Sequence, residues 1–259
     1  GKIKELDKEM MEKAQKRLDS LTKPPGSLGR LEEIAIQLTG ITGKISPDVD
    51  KKLHIVMAGD HGVVAEGVSA FPQSVTTSMV KNFLDGGAAI NVLADQMNAE
   101  LMLVDIGMVD NVNYKGLKDY KVMSGTDNMA EGPAMSKDNA VKALKVGIDI
   151  VEDAVKNGAR LIGTGEMGIG NTTPSSAVLA AISGFPLEEV VGPGTGLNEE
   201  QLKHKRTIIK KVLEVNNPDK NDPLDVLAKV GGLEIAGMAG CMLGAAKNKV
   251  PVVVDGFIS

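Results

Sequence analysis

The chain has 259 residues, 42% hydrophobic and 24% charged, with a formal net charge of -5. That balance suits one sizeable globular domain, with or without a small appendage, and excludes a wholly disordered chain. The acidic balance, with four Phe, two Tyr and no Trp, argues against nucleic-acid binding through a basic surface or base stacking.

One cysteine, Cys241, leaves no internal disulfide framework and suits a reducing compartment. No run reaches the roughly 18–20 apolar residues of a membrane span. The first residues, from Gly1, are charged and helical in pattern, unlike a secretory signal.

Ile3, Leu6, Met10, Ala14, Leu18 and Leu21 recur at spacings of three and four, one stripe of a helix. Pro24-Pro25 breaks it, since proline removes a donor and restricts the residue before it. A second helix is expected to carry Leu28, Leu31, Ile34, Ala35 and Leu38 on one face, with Ser27 as its N-cap. These two helices read as an appendage over 1–45, with the main domain over 46–259.

From Leu53 to Ala58 the pattern becomes a buried strand. Helices follow over 73–85 and 88–97, then a strand over 101–105 and a long loop over 106–136. Ser136 is placed to cap a helix over 137–157, which leads into a third strand over 160–163. Thr173-Pro174 opens another helix, with proline in its first turn. Helices over 198–215 and 232–247 and a strand over 250–255 complete the chain. Strand–helix alternation predicts an α/β fold with a Rossmann-like, doubly wound, mostly parallel sheet. Ligands of such sheets sit beyond the carboxyl ends of the strands. There the sequence gathers Gly59-Asp60-His61-Gly62, Asp105-Ile106-Gly107, Gly163-Thr164-Gly165-Glu166 and Asp255-Gly256.

Gly163 to Gly168 matches G-x-G-x-x-G, with Glu188 downstream, but a dinucleotide motif should open its helix directly and here Asn171, Thr172 and Thr173 intervene. The segment is better read as an anion cradle completed by the helix start near Pro174. Glu166 within it either meets sugar hydroxyls or developing positive charge, or is a solvated residue of a tight turn. Val191-Gly192-Pro193-Gly194-Thr195-Gly196 is a second glycine loop, followed by Lys203, Lys205 and Arg206. Two such loops with a lysine suggest one phosphate held from two sides, although most of these cations would only solvate a helix face. Asp60-His61 could ligate a metal, but His54 and His204 lie elsewhere, and a structural or hydrogen-bonding His61 is preferred. Met57, Met79, Met97, Met102 and Met108 read as core or pocket filler.

Collinear motifs over essentially the whole chain resemble the nicotinate-nucleotide–dimethylbenzimidazole phosphoribosyltransferase family of cobalamin lower-ligand assembly. They are Leu21-Thr22-Lys23-Pro24-Pro25-Gly26-Ser27-Leu28-Gly29-Arg30, Ala58-Gly59-Asp60-His61-Gly62-Val63, Phe71-Pro72-Gln73, Glu131-Gly132-Pro133-Ala134-Met135, Gly165-Glu166-Met167-Gly168-Ile169-Gly170-Asn171-Thr172-Thr173, Val230-Gly231-Gly232-Leu233-Glu234 and Asp255-Gly256-Phe257. The resemblance implies transfer of phosphoribose from nicotinate mononucleotide to an aromatic base or phenol, in the cytoplasm, with no cofactor and no metal. It implies that Gly165, Gly168, Asn171, Thr172, Gly192, Gly194 and Lys205 bind the nucleotide. Phe71, Gln73 and Met79 would bind the acceptor, and Glu166 would support the ribose. It also implies a dimer, with itself or with a homologous subunit.

Two departures from the family pattern are visible. The segment Lys121 to Asp127 lacks an arginine often found there. The family's general-base Glu, in a Gly-Glu-Gly-Ser-Gly type segment, and its C-terminal helices would fall beyond Ser259. An alternative expectation is therefore a catalytically silent partner subunit.

Overall fold

The computed structural model describes residues 3–194 and 196–259. Its helices are α1 (Lys8–Asp19), α2 (Arg30–Thr42), α3 (Val75–Leu84), α4 (Ala89–Gln96), α5 (Lys137–Lys156), α6 (Thr172–Ser183), α7 (Leu187–Val190), α8 (Glu199–Asn216), α9 (Pro223–Val230) and α10 (Leu233–Asn248). The strands are β1 (Lys52–Gly59), β2 (Ala99–Gly107), β3 (Lys118–Asp119), β4 (Leu161–Met167) and β5 (Val252–Val253).

The first two helices pack on each other, with Asp7 N donating to Gly40 O at 2.9 Å. Asp7 caps α1 by accepting from Met10 N at 3.0 Å. The expected cap of α2 is not Ser27. Gly26 and Gly29, at φ +73° and +55°, turn the chain first, and the helix starts at Arg30 with Gly29 as N-cap. Glu32 takes over the capping work: it accepts from Leu28 N at 3.1 Å and pairs with Lys23 Nζ at 2.7 Å.

Every strand pair of the sheet is parallel, in the order β3-β2-β1-β4-β5. The chain runs outward from β1 through β2 to β3, then restarts on the other side of β1 with β4 and β5. The crevice between β1 and β4 is thus the topological switch point, where a doubly wound sheet binds its ligands. Leu53, Ile55 and Met57 face one way and join the main core with α5 and α10. Ala58 faces the other way, against Val80 of α3. Both faces are covered, so β1 reads as a continuous apolar run and not as an alternation. A second core gathers α6, α8 and α9.

Three differences from the sequence reading bear on the site. The third strand does not end at Gly163 but runs to Met167, so the glycine-rich segment read as a loop is mostly β4, and the turn is confined to Gly168–Asn171. Glycine is a poor strand former in isolation, but here the parallel pairing of His54 with Gly163 and Val56 with Gly165 holds it extended. The last strand shrinks to Val252–Val253, because Pro251 has no N–H for the ladder and the chain leaves the edge at Asp255. The long loop contains β3, and the short helices α7 and α9 were not foreseen. By contrast, Ser136 caps α5 as expected, accepting from Asn139 N at 3.1 Å.

Candidate active site

β1 ends at Gly59 and delivers Asp60 and His61 to the crevice; β4 ends beside them with Glu166 and Met167. His61 is buried, and its Nε2–H donates to Glu234 Oε1 at 2.7 Å. The reading of His61 as a hydrogen-bonding residue thus finds a partner 173 residues away, in the first turn of α10. Burial works against the imidazolium, but Glu234, with Asp60 and Glu166 behind it, holds His61 above its ordinary pKa. The pair fits only because its backbone neighbours lack side chains. A Cβ on Gly232 would lie 2.6 Å from His61 Cε1, and one on Gly59 would lie 2.9 Å from Glu234 Oε2.

Burial pushes the Asp60 carboxyl up, against a 2.8 Å hydrogen bond from Val109 N. Lys121 occupies the stretch that lacks an arginine. It pairs with Asp105 at 3.3 Å and donates to Asn111 Oδ1 at 2.9 Å, so the positive charge there is taken up by the fold.

Glu166 accepts from Asn171 Nδ2. Burial raises its carboxyl, and that hydrogen bond opposes the rise. It is therefore not a solvated glutamate of a tight turn. Glu166 and Thr172 lie at the junction of two cavities. One, of ≈ 320 Å³, is lined by Ser69, Gly168, Asn171, Gly194 and Lys205. The other, of ≈ 500 Å³, is lined by His54, Val56, Met79, Phe83, Ile90 and Phe257.

The first cavity gathers a helix start and a buried lysine. α6 starts at Thr172, so its positive end opens there. Lys205 Nζ donates to Thr172 Oγ1 at 2.6 Å. Gly194, at φ +56°, brings its backbone so close that a Cβ would lie 3.0 Å from Thr172 Oγ1 and 3.3 Å from Lys205 Nζ. Lys205 is 1% exposed and shares the buried face of α8 with Ile208, Ile209 and Val212. Among the described residues no carboxylate stands within salt-bridge distance of it. Burial lowers its pKa to about 8.

The other expected residues divide. Gly165, Gly168, Asn171, Thr172, Gly194 and Lys205 line one or both cavities, and Met79 lines the second. Phe71 is 48% exposed, and neither it, Gln73 nor Gly192 belongs to either lining. Thr195, in the second glycine loop, lies outside the described residues. Lys203 is exposed, as a solvated face requires, and His204 is hydrogen-bonded to Glu66 O at 2.7 Å. Cys241 is buried in α10, with its thiol pushed up to about 12 by burial, which suits an inert residue.

Sequence reasoning assigned no role to Glu234, Phe83 or His54. The first was visible as the end of the Val230–Glu234 motif and as an acid in a helix N-terminal turn, an ordinary place for one, and nothing in the sequence tied it to His61. Phe83 was one of only four phenylalanines, a signal that could have drawn attention to it.

The family model described as DBI_PRT: Phosphoribosyltransferase matches residues 3–259. The chain is 57% identical over 261 residues to a Desulforamulus reducens protein named nicotinate-nucleotide--dimethylbenzimidazole phosphoribosyltransferase, covering 100% of this chain and 74% of that protein. A Geobacter sulfurreducens protein of the same name is 57% identical over 260 residues, with the same coverage. Among solved structures, CobT from Thermus thermophilus superposes with a TM-score of 0.91 at 44% identity, over 96% of this chain and 75% of that one.

Proposed function

We propose, from the premise that the chain belongs to this phosphoribosyltransferase family, that it moves phosphoribose from nicotinate mononucleotide to an aromatic base such as dimethylbenzimidazole. The observation that carries the reading is Lys205: a buried ammonium with a hydroxyl partner and no carboxylate. Such a charge is costly to bury alone and is neutralised by a phosphate in the cavity it lines.

With the 5′-phosphate on Lys205, Thr172 and the start of α6, the ribose falls towards Glu166 at the junction of the cavities. The acceptor lies in the apolar cavity of Met79 and Phe83. A ring nitrogen of the acceptor gives its lone pair to C1′ as the bond from C1′ to nicotinate breaks. The electron pair of that bond returns to the pyridinium nitrogen, which leaves neutral. Positive charge develops on the ribose between, and the Glu166 carboxylate, oriented by Asn171, is the group placed to stabilise it. Behind it, the His61–Glu234 pair positions the ends of β1 and β4. The N–H proton of the acceptor must also depart, and the resemblance assigns its removal to a Glu beyond Ser259. About a quarter of each relative's length lies outside the match. The same reading sets the reaction in the cytoplasm and the protein in a dimer; no described helix is long and apolar enough to cross a membrane.

The test is Lys205→Ala with two titrations. Affinity for nicotinate mononucleotide should fall at least about tenfold, the scale of a lost charge-assisted contact, while affinity for the aromatic base holds. Equal loss of both, or of neither, would remove the phosphate assignment.

A further inference from the structure

His54 lies within β1, with Leu53 and Ile55 on either side facing the opposite, α5–α10 core. Across the ladder it pairs with Gly163. A Cβ on Gly163 would collide with His54 Nδ1, and one on Gly165 would arrive 2.7 Å from His54 Nε2. The imidazole therefore lies along β4 over two alternate residues that have no side chain. It also lines the cavity assigned to the acceptor, where Val56, Met79, Phe83 and Ile90 are apolar and Glu166 and Asp255 are the carboxylates. The hydrogen-bonded histidines among the described residues are His61 and His204, so both His54 ring nitrogens are free. Burial holds the ring below its ordinary pKa, with Asp255 opposing, and in the neutral form one nitrogen donates and the other accepts.

The register sets the distance to the reacting end. Glu166 pairs with Met57, three residues along β1 from His54. At about 3.3 Å per residue their Cα positions are about 10 Å apart along the strands, and both residues line the same cavity.

We propose that His54 is a specificity-determining residue, whose imidazole reads the edge of the acceptor farthest from the attacking nitrogen and favours a hydroxyl or amino group there over methyl groups. The proposal rests on the assignment of the second cavity to the acceptor. Its physical basis is that an apolar edge strips water from the two ring nitrogens without replacing it, whereas a polar edge satisfies at least one of them.

The experiment is equilibrium titration of 5-hydroxybenzimidazole and of 5,6-dimethylbenzimidazole, each alone, into the chain without nicotinate mononucleotide, with which they would react. It is repeated for His54→Leu and His54→Gln. The native protein should favour the hydroxylated base, and His54→Leu should shift the affinity ratio about fivefold or more towards the dimethylated one. His54→Gln keeps a donor and an acceptor and should retain part of the preference, which separates reading of the edge from mere disturbance of the strand. The same ratio in all three proteins overturns the proposal while leaving the cavity assignment intact. Failure of the native protein to bind either base, while it binds nicotinate mononucleotide in a separate titration, overturns the cavity assignment and the proposal together.

Discussion

Lys205 shows how one buried side chain ties binding to pH. Its pKa is lowered to about 8 because burial penalises the cation. Below pH 8 the free protein carries the ammonium that a phosphate needs; as pH rises through 8 that charge is lost. Affinity for nicotinate mononucleotide should therefore be level from pH 7 towards 8 and then fall, approaching tenfold per pH unit well above it. Lys205→Arg cannot lose its charge in this range and should abolish the bend while retaining measurable affinity. A native profile flat to pH 10 would place the phosphate elsewhere. Lys205 was singled out in the sequence because it follows a glycine loop and matches the family pattern; its burial beside Ile208, Ile209 and Val212 was not legible there. Phe71 was not placed by such reasoning. It was named from the family resemblance; in the structure it is half exposed and outside both cavity linings, and Phe83 contributes the helix-borne ring to the second cavity.

At the scale of elements, α5 and α10 support the sheet from below by unusually close contact. A Cβ on Gly147 of α5 would overlap the Gly237 carbonyl of α10, and one on Gly240 would overlap the Leu144 carbonyl. Small residues at spacings of three and four, Gly237, Gly240, Cys241 and Gly244, let the backbones approach. Gly147→Ala should force the helices apart and lower stability by about 1–3 kcal/mol, as overpacking does, measured as a fall in denaturation midpoint at unchanged slope. An unchanged midpoint would contradict the contact. Helix α10 was legible as a small-residue helix, and α5 with its Ser136 cap was legible from periodicity. The extent of β4 was not. Gly163 and Gly165 signal a turn by local preference, and only pairing with His54 and Val56 on β1, more than a hundred residues earlier, makes them strand. For the same reason the acid that meets His61 was hidden: Glu234 looks like any first-turn carboxylate until α10 docks.

In the whole molecule, the switch between β1 and β4 is what makes a site from these parts. It brings Asp60-His61 from one strand and Glu166 from the next to one edge, and sets the cavity of Lys205 and the cavity of Met79 and Phe83 on either side of Glu166. The parallel α/β architecture was legible from strand–helix alternation, and its edge from the acids and glycines at the strand ends. The cavity of Gly168, Asn171, Gly194 and Lys205 was legible as two glycine loops converging on one lysine; the second was not, since it draws on β1, α3, α4 and the segment after β5. In the proposed reaction one carboxylate, Glu166, serves the ribose, and the acceptor's proton goes to a second that the family resemblance places beyond Ser259. Residues 1–259 by themselves should thus transfer phosphoribose slowly, short of the roughly 10²–10⁴-fold that a positioned base supplies.

The most direct measurement is the mass of the products formed when the 1–259 protein, in excess over substrate, is incubated with nicotinate mononucleotide and dimethylbenzimidazole. The expected products are the base's riboside phosphate and one nicotinate released for each molecule of it, with loss of both together in Glu166→Ala. Nicotinate released with ribose phosphate alone, or no release while the nucleotide is bound, would contradict the proposed transfer.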